Sequence, residues 1–113
     1  MKFMLLIHHD DVELAKAGPE LWGDYAAFNA ALAKAGVGTP GERLNPAKTA
    51  TRVSVKDGRK KVLDGPYVDT KEQFAGYMIL DVPTLEDAVE WAARCPSAKY
   101  GTIEVRQISP KGS

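Results

Sequence analysis

The chain has 113 residues, with 15 Lys and Arg against 15 Asp and Glu and an isoelectric point near 6.7. That is one domain of ordinary size, and its balanced charge lacks the broad positive field of a nucleic-acid binder; the single run of three basic residues is Arg59-Lys60-Lys61. The lone cysteine, Cys95, makes no internal disulfide, and the apolar run at 3–7 is too short for a membrane span or a signal-peptide core. The expectation is therefore one cytoplasmic domain over 1–113, ordered to about residue 108, with no membrane or nucleic-acid partner.

Residues 2–8 carry Phe3-Met4-Leu5-Leu6-Ile7, a short apolar run that suits a strand buried on both faces, and His8-His9-Asp10-Asp11 makes its polar end. Gly18-Pro19 offers a helix start. Leu21, Tyr25, Phe28, Leu32 and Ala35 then recur at spacings of four and three, one apolar stripe on a helix ending at Gly36. A loop with Pro40-Gly41 and Asn45-Pro46 leads to the β-branched run 49–55, the hairpin signal Asp57-Gly58 and a returning strand at 60–63. Asp64-Gly65-Pro66-Tyr67 makes a second turn.

From 72 to 82 the chain is strand-like again, with Phe74, Gly76, Met78, Leu80 and Val82 on one face and Ala75, Tyr77 and Ile79 on the other. Both faces are apolar, so the strand is central. Thr84 caps a second helix whose buried stripe is Leu85, Ala88, Val89 and Ala92 and which Pro96 stops. The last strand, 102–108, alternates Ile103 and Val105 with Glu104 and Arg106.

This order predicts an α+β, ferredoxin-like (split βαβ) antiparallel sheet with two helices on one face. The helices leave the second face of an apolar central strand uncovered, and a second copy of the chain is the simplest cover. Two sheets packed face to face form a dimeric α+β barrel with a cavity for a small-molecule ligand.

Asp64-Gly65-Pro66-Tyr67, followed by Thr70-Lys71-Glu72-Gln73 and Gly76-Tyr77, resembles the signature of the YCII-related family, in particular its DGPF-domain branch. The opening 1–7, the closing Glu104-Val105-Arg106 and the Glu90-Trp91-Ala92-Ala93-Arg94 stretch are similar to that branch too. The resemblance implies a ferredoxin-like fold that dimerises into an α+β barrel, and some relatives in the wider family look like small-molecule lyases or dehalogenases using a His and Asp pair. The chain departs from the pattern in having Tyr67 where the branch has phenylalanine, and His8 where many relatives carry tyrosine.

Candidate chemistry sits in three places. His8 and Asp10 share one side of the strand end while His9 points away, and a histidine oriented by a carboxylate is a usable base near neutral pH. Against that stands a merely solvated strand end. Asp64 serves as an acid or base or else closes its own turn, with Tyr67 beside it and Lys71 and Glu72 close enough to pair. Glu104 and Arg106 face away from the helices, either bridging two subunits or holding an anionic substrate group.

The expected catalytic residues are thus His8, Asp10 and Asp64, and the expected substrate contacts are Tyr67, Lys71, Glu72, Glu104 and Arg106. Two adjacent histidines and one distant cysteine do not supply a metal site within one chain, and no phosphate-cradling motif or nucleophile elbow occurs, so no cofactor is expected. Trp22 and Trp91 read as helix packing and Cys95 as inert. Two readings of function follow. One is an enzyme performing a lyase, isomerase or dehalogenase type of reaction on a small anionic or carbonyl-bearing molecule; the other is a non-catalytic dimeric ligand sensor or regulatory partner.

Overall fold

The computed structural model describes residues 1–65 and 70–110. In chain order its elements are β1 (Lys2–Asp10), α1 (Asp11–Leu14), α2 (Glu20–Ala35), β2 (Glu42–Arg43), β3 (Thr51–Lys56), β4 (Arg59–Asp64), β5 (Glu72–Asp81), α3 (Leu85–Arg94) and β6 (Gly101–Gln107), with short 3-10 turns at Ala47–Thr49 and Pro96–Lys99. Antiparallel strands form one sheet in the order β2-β5-β1-β6. With α2 leading from β1 toward β2 and α3 joining β5 to β6, this agrees with the expected split βαβ arrangement.

Alternation along β1 buries Phe3, Leu5 and Ile7, which pack with Met78, Leu80 and Val82 beside β1 and with Phe28 and Leu32 of α2 and Ala88 and Ala92 of α3. Both long helices therefore cover the same face. Helix α2 ends where Gly36 adopts a left-handed conformation (φ 69°), donating its N–H back to Ala33. Thr84 caps α3 by accepting the Asp87 N–H at 3.1 Å. The α3 stripe is narrower than its spacing suggests. Ala88 and Ala92 are buried, but Leu85 and Val89 are about half exposed, because α3 meets the sheet along its small residues and its large contact is Trp91 set edge-on to Phe28 at 6.2 Å.

Two expectations about the sheet are corrected. The hairpin does not join it: β3 and β4 pair only with each other, around an Asp57-Gly58 turn with both residues at positive φ. The strand beside β5 is instead β2, two residues from the stretch read as loop. Gly41 makes this possible, since a Cβ there would collide with the Tyr77 backbone carbonyl. The second correction concerns Phe74. A bulge in the β1–β5 pairing, where Ile7 faces Gly76 but His8 faces Phe74, turns Phe74 onto the face opposite Met78.

The molecule is a thin slab. It measures 48 × 41 × 18 Å with a radius of gyration of 16.0 Å, against about 13 Å for a globular chain of this length. Its 7952 Å² of surface likewise exceeds the roughly 6,000 Å² of a folded monomer of this mass. The excess lies on the hairpin, where Val53, Val55 and Val62 are exposed, and on the uncovered sheet face, where Ile79 and Phe74 stand beside half-buried Met4, Leu6 and Tyr77.

Candidate functional site

The strand alternation that buries Ile7 places His9 on the same, helix-covered side of β1. Gly101 is its neighbour on β6, and a Cβ there would overlap the His8 carbonyl, so a bare backbone lets β6 close against the end of β1. Just before β6, the 3-10 turn after α3 delivers Ser97, fully buried, whose Oγ lies 2.7 Å from His9 Nε2. Tyr25, from the middle of α2, completes a chain of groups: its hydroxyl hydrogen-bonds Ser97 Oγ and lies 3.5 Å from Cys95 Sγ. Each hydroxyl can donate or accept. Nε2 can therefore hold or lack a proton, while Nδ1, which has no hydrogen-bond partner among the described residues, takes the complementary role.

Electrostatics sort these groups. Burial lowers the pKa of His9 from its ordinary 6.5, Arg43 lowers it further and Asp11 opposes, so the ring is neutral at pH 7. Burial pushes the Tyr25 phenol far above its ordinary range, and it raises the Cys95 thiol as well. Both stay protonated at neutral pH. Cys95 is thus a buried thiol without thiolate character, as the sequence suggested.

His9 lines a cavity of about 540 Å³ between α2 and the edge of the sheet. Leu14, Leu21, Ala26 and Met78 supply apolar wall, with Trp22 and Tyr25 from successive turns of α2. Arg43 also lines it. In the β2–β5 register Arg43 lies opposite Gly76, the partner of Ile7, which assigns Arg43 to the helix side; Glu42 lies opposite Tyr77 and so belongs to the other face. The Arg43 guanidinium stacks on Trp22 at 4.6 Å from the ring centroid. Asn29, one turn beyond Tyr25, has a buried Oδ1 with no hydrogen-bond partner among the described residues.

The residues singled out from the sequence divide differently. His8 is on the uncovered face, and its carboxylate partner is Glu104, whose Oε1 lies 3.0 Å from Nε2; Phe74 stands at 5.7 Å. Arg106 is on the same face, opposite Met4. Asp10 is not the carboxylate that contacts His8. Its Oδ1 accepts the Val12 and Glu13 N–H groups to cap α1, and its Oδ2 meets Lys71 Nζ at 3.3 Å. Burial works against its ionisation, but Lys71 and the two N–H groups outweigh it and hold the carboxyl below 3.8. Lys71 therefore pairs with Asp10 rather than with its neighbour Glu72, which lies across the β1–β5 ladder from Asp10. Asp64 sits at the base of the hairpin, where Thr51 Oγ1 approaches at 3.4 Å. It shares a second cavity, about 710 Å³, with His9, Arg43 and Lys48, not with His8 or Arg106. Tyr67 lies outside the described residues.

Tyr25, Arg43 and Asn29 of the cavity, and Ser97 behind His9, escape a sequence reading for identifiable reasons. Tyr25 stands in the α2 apolar stripe and looks like core. Arg43 lies on a strand too short to have a period, and Asn29 is one polar residue on a helix flank. His9 was legible: a ring on the Ile7 side of an otherwise buried strand must meet something polar beneath the helices. Among the described residues, no three His, Cys, Asp or Glu side chains cluster closely enough to hold a metal ion.

Residues 1–111 match the YCII-related domain. The chain is also similar to an uncharacterised protein of Rhizobium meliloti (strain 1021), 32% identical over 88 residues that cover 76% of this chain and 71% of the relative. No helix among the described residues is long and apolar enough to cross a membrane. A match of this extent, on a sheet of split βαβ order, shows that the chain belongs to the YCII-related domain family.

Proposed function

We propose that the chain binds a small molecule in the cavity between α2 and the sheet and moves a proton on it, with His9 as the base. The observation that carries this reading is the chain Tyr25–Ser97–His9 opening onto a 540 Å³ cavity. A neutral imidazole accepts a proton at Nδ1 while the buried hydroxyls take the hydrogen bond from Nε2. This supports the enzyme reading, a lyase, isomerase or related proton-transfer reaction, over the non-catalytic one.

The second copy belongs to the proposal. Met4, Leu6, Tyr77 and Ile79 form an apolar patch on the uncovered face, bordered by the His8–Glu104 pair and Arg106. Two such faces packed together make the dimeric α+β barrel.

A broad ligand-melting screen tests the reading. Ligands that raise the wild-type melting temperature are expected to lose that effect in Ala26→Phe, which adds a ring to the α2 wall of the cavity. A ligand consumed by the wild type is expected to bind His9→Gln and persist. Hits unaffected by Ala26→Phe, or turned over equally by His9→Gln, would overturn it.

A further inference from the structure

We propose that the cavity's ligand is a small monocarboxylate with a planar apolar body, and that Arg43 is the residue that selects the carboxylate. This rests on the cavity reading above and adds the ligand's chemical class.

Two observations converge. First, Arg43 is the one cationic side chain among the described residues lining the 540 Å³ cavity. Its guanidinium is held by the Trp22 ring, at 4.6 Å, and no carboxylate among the described residues lies within ion-pair distance of it. Stacking fixes the plane of the fork and leaves its N–H donors open, the state suited to two-point capture of a carboxylate. A single cation matches a single carboxylate.

Second, the walls behind Arg43 are apolar or aromatic, with Trp22 and Tyr25 on α2 facing Met78 of the sheet, which suits a flat hydrocarbon body. Neutral His9 adds no charge that would draw the carboxylate away from Arg43.

The probes are 4-hydroxybenzoate and its uncharged isostere 4-hydroxybenzamide, titrated calorimetrically and followed at the Trp22 indole by NMR. The full chain is used as wild type, Arg43→Gln and Arg43→Lys. We expect 4-hydroxybenzoate to bind and shift the Trp22 signal, 4-hydroxybenzamide to bind at least tenfold more weakly, and Arg43→Gln to abolish that difference. Arg43→Lys should recover only part of it, because an ammonium keeps the charge but loses the fork. Arg43 is exposed, so the variants should melt like the wild type. Equal affinity for the two probes, or unchanged carboxylate affinity in Arg43→Gln, overturns the assignment of Arg43 while leaving the cavity reading intact. Failure of both probes to bind overturns the ligand class, and the cavity reading is then judged by the melting screen with Ala26→Phe.

Discussion

His9 is held by two opposing influences that can be separated experimentally. Burial and the Arg43 guanidinium depress its pKa, while Asp11 raises it. NMR titration should give a midpoint below 6.5 in the wild type and a higher one in Arg43→Gln. The sign for stability follows from linkage. A folded-state value below the unfolded one means that the unfolded chain binds the proton more readily, so His9 favours folding above pH 6.5 and that contribution is lost as pH falls. Asp10 behaves alike at lower pH, since its depressed carboxyl favours folding above about 3.8 and loses that benefit on further acidification. Asp10→Asn should therefore lower the melting temperature at pH 7 and flatten the decline between pH 5 and pH 3; an unchanged acid limb would contradict the capping and Lys71 contacts.

At the scale of elements, the long periodic segments were legible and the short ones were not. The α2 stripe at Leu21, Phe28 and Leu32, though not at exposed Ala35, the Thr84 cap and the hairpin turn each follow from local rules that the fold does not override. Thr84→Ala removes the cap at the head of α3 and should cost about 1 kcal/mol in a denaturant melt. Leu32→Ala opens a fully buried position of α2 against Leu80 and Phe3 and should cost about 2–5 kcal/mol. β2 has no period to read, and its position depends on Gly41 passing close to the Tyr77 carbonyl, a contact 36 residues away in the chain. The bulge that moves Phe74 to the His8 face is likewise set by pairing between strands, and strict alternation along β5 alone cannot reveal it. Alternation along β1 separates the two histidines, with His9 meeting Ser97 on one face, and the bulge adds Phe74 to Glu104 beside His8 on the other.

For the whole molecule, the proposed dimer accounts for an 18 Å slab with apolar side chains on its uncovered face. Sedimentation at micromolar concentration should report a dimer for the wild type and a folded monomer for Ile79→Asp, which sets a charge in the middle of the proposed interface. A wild-type monomer under those conditions would contradict the barrel. The fold class could be read from the order of the elements, whereas the cavity could not, because its walls come from α2, β1, β2 and β5 and meet only once the sheet is assembled. The most direct test of the central claim is a crystal structure of the chain with 4-hydroxybenzoate or with a ligand found in the melting screen. The ligand is predicted to lie between α2 and the sheet, against Trp22 and Met78, with a polar atom at hydrogen-bond distance from His9. A ligand seated instead on the uncovered face, against His8 and Glu104, with the α2 cavity empty, would contradict it.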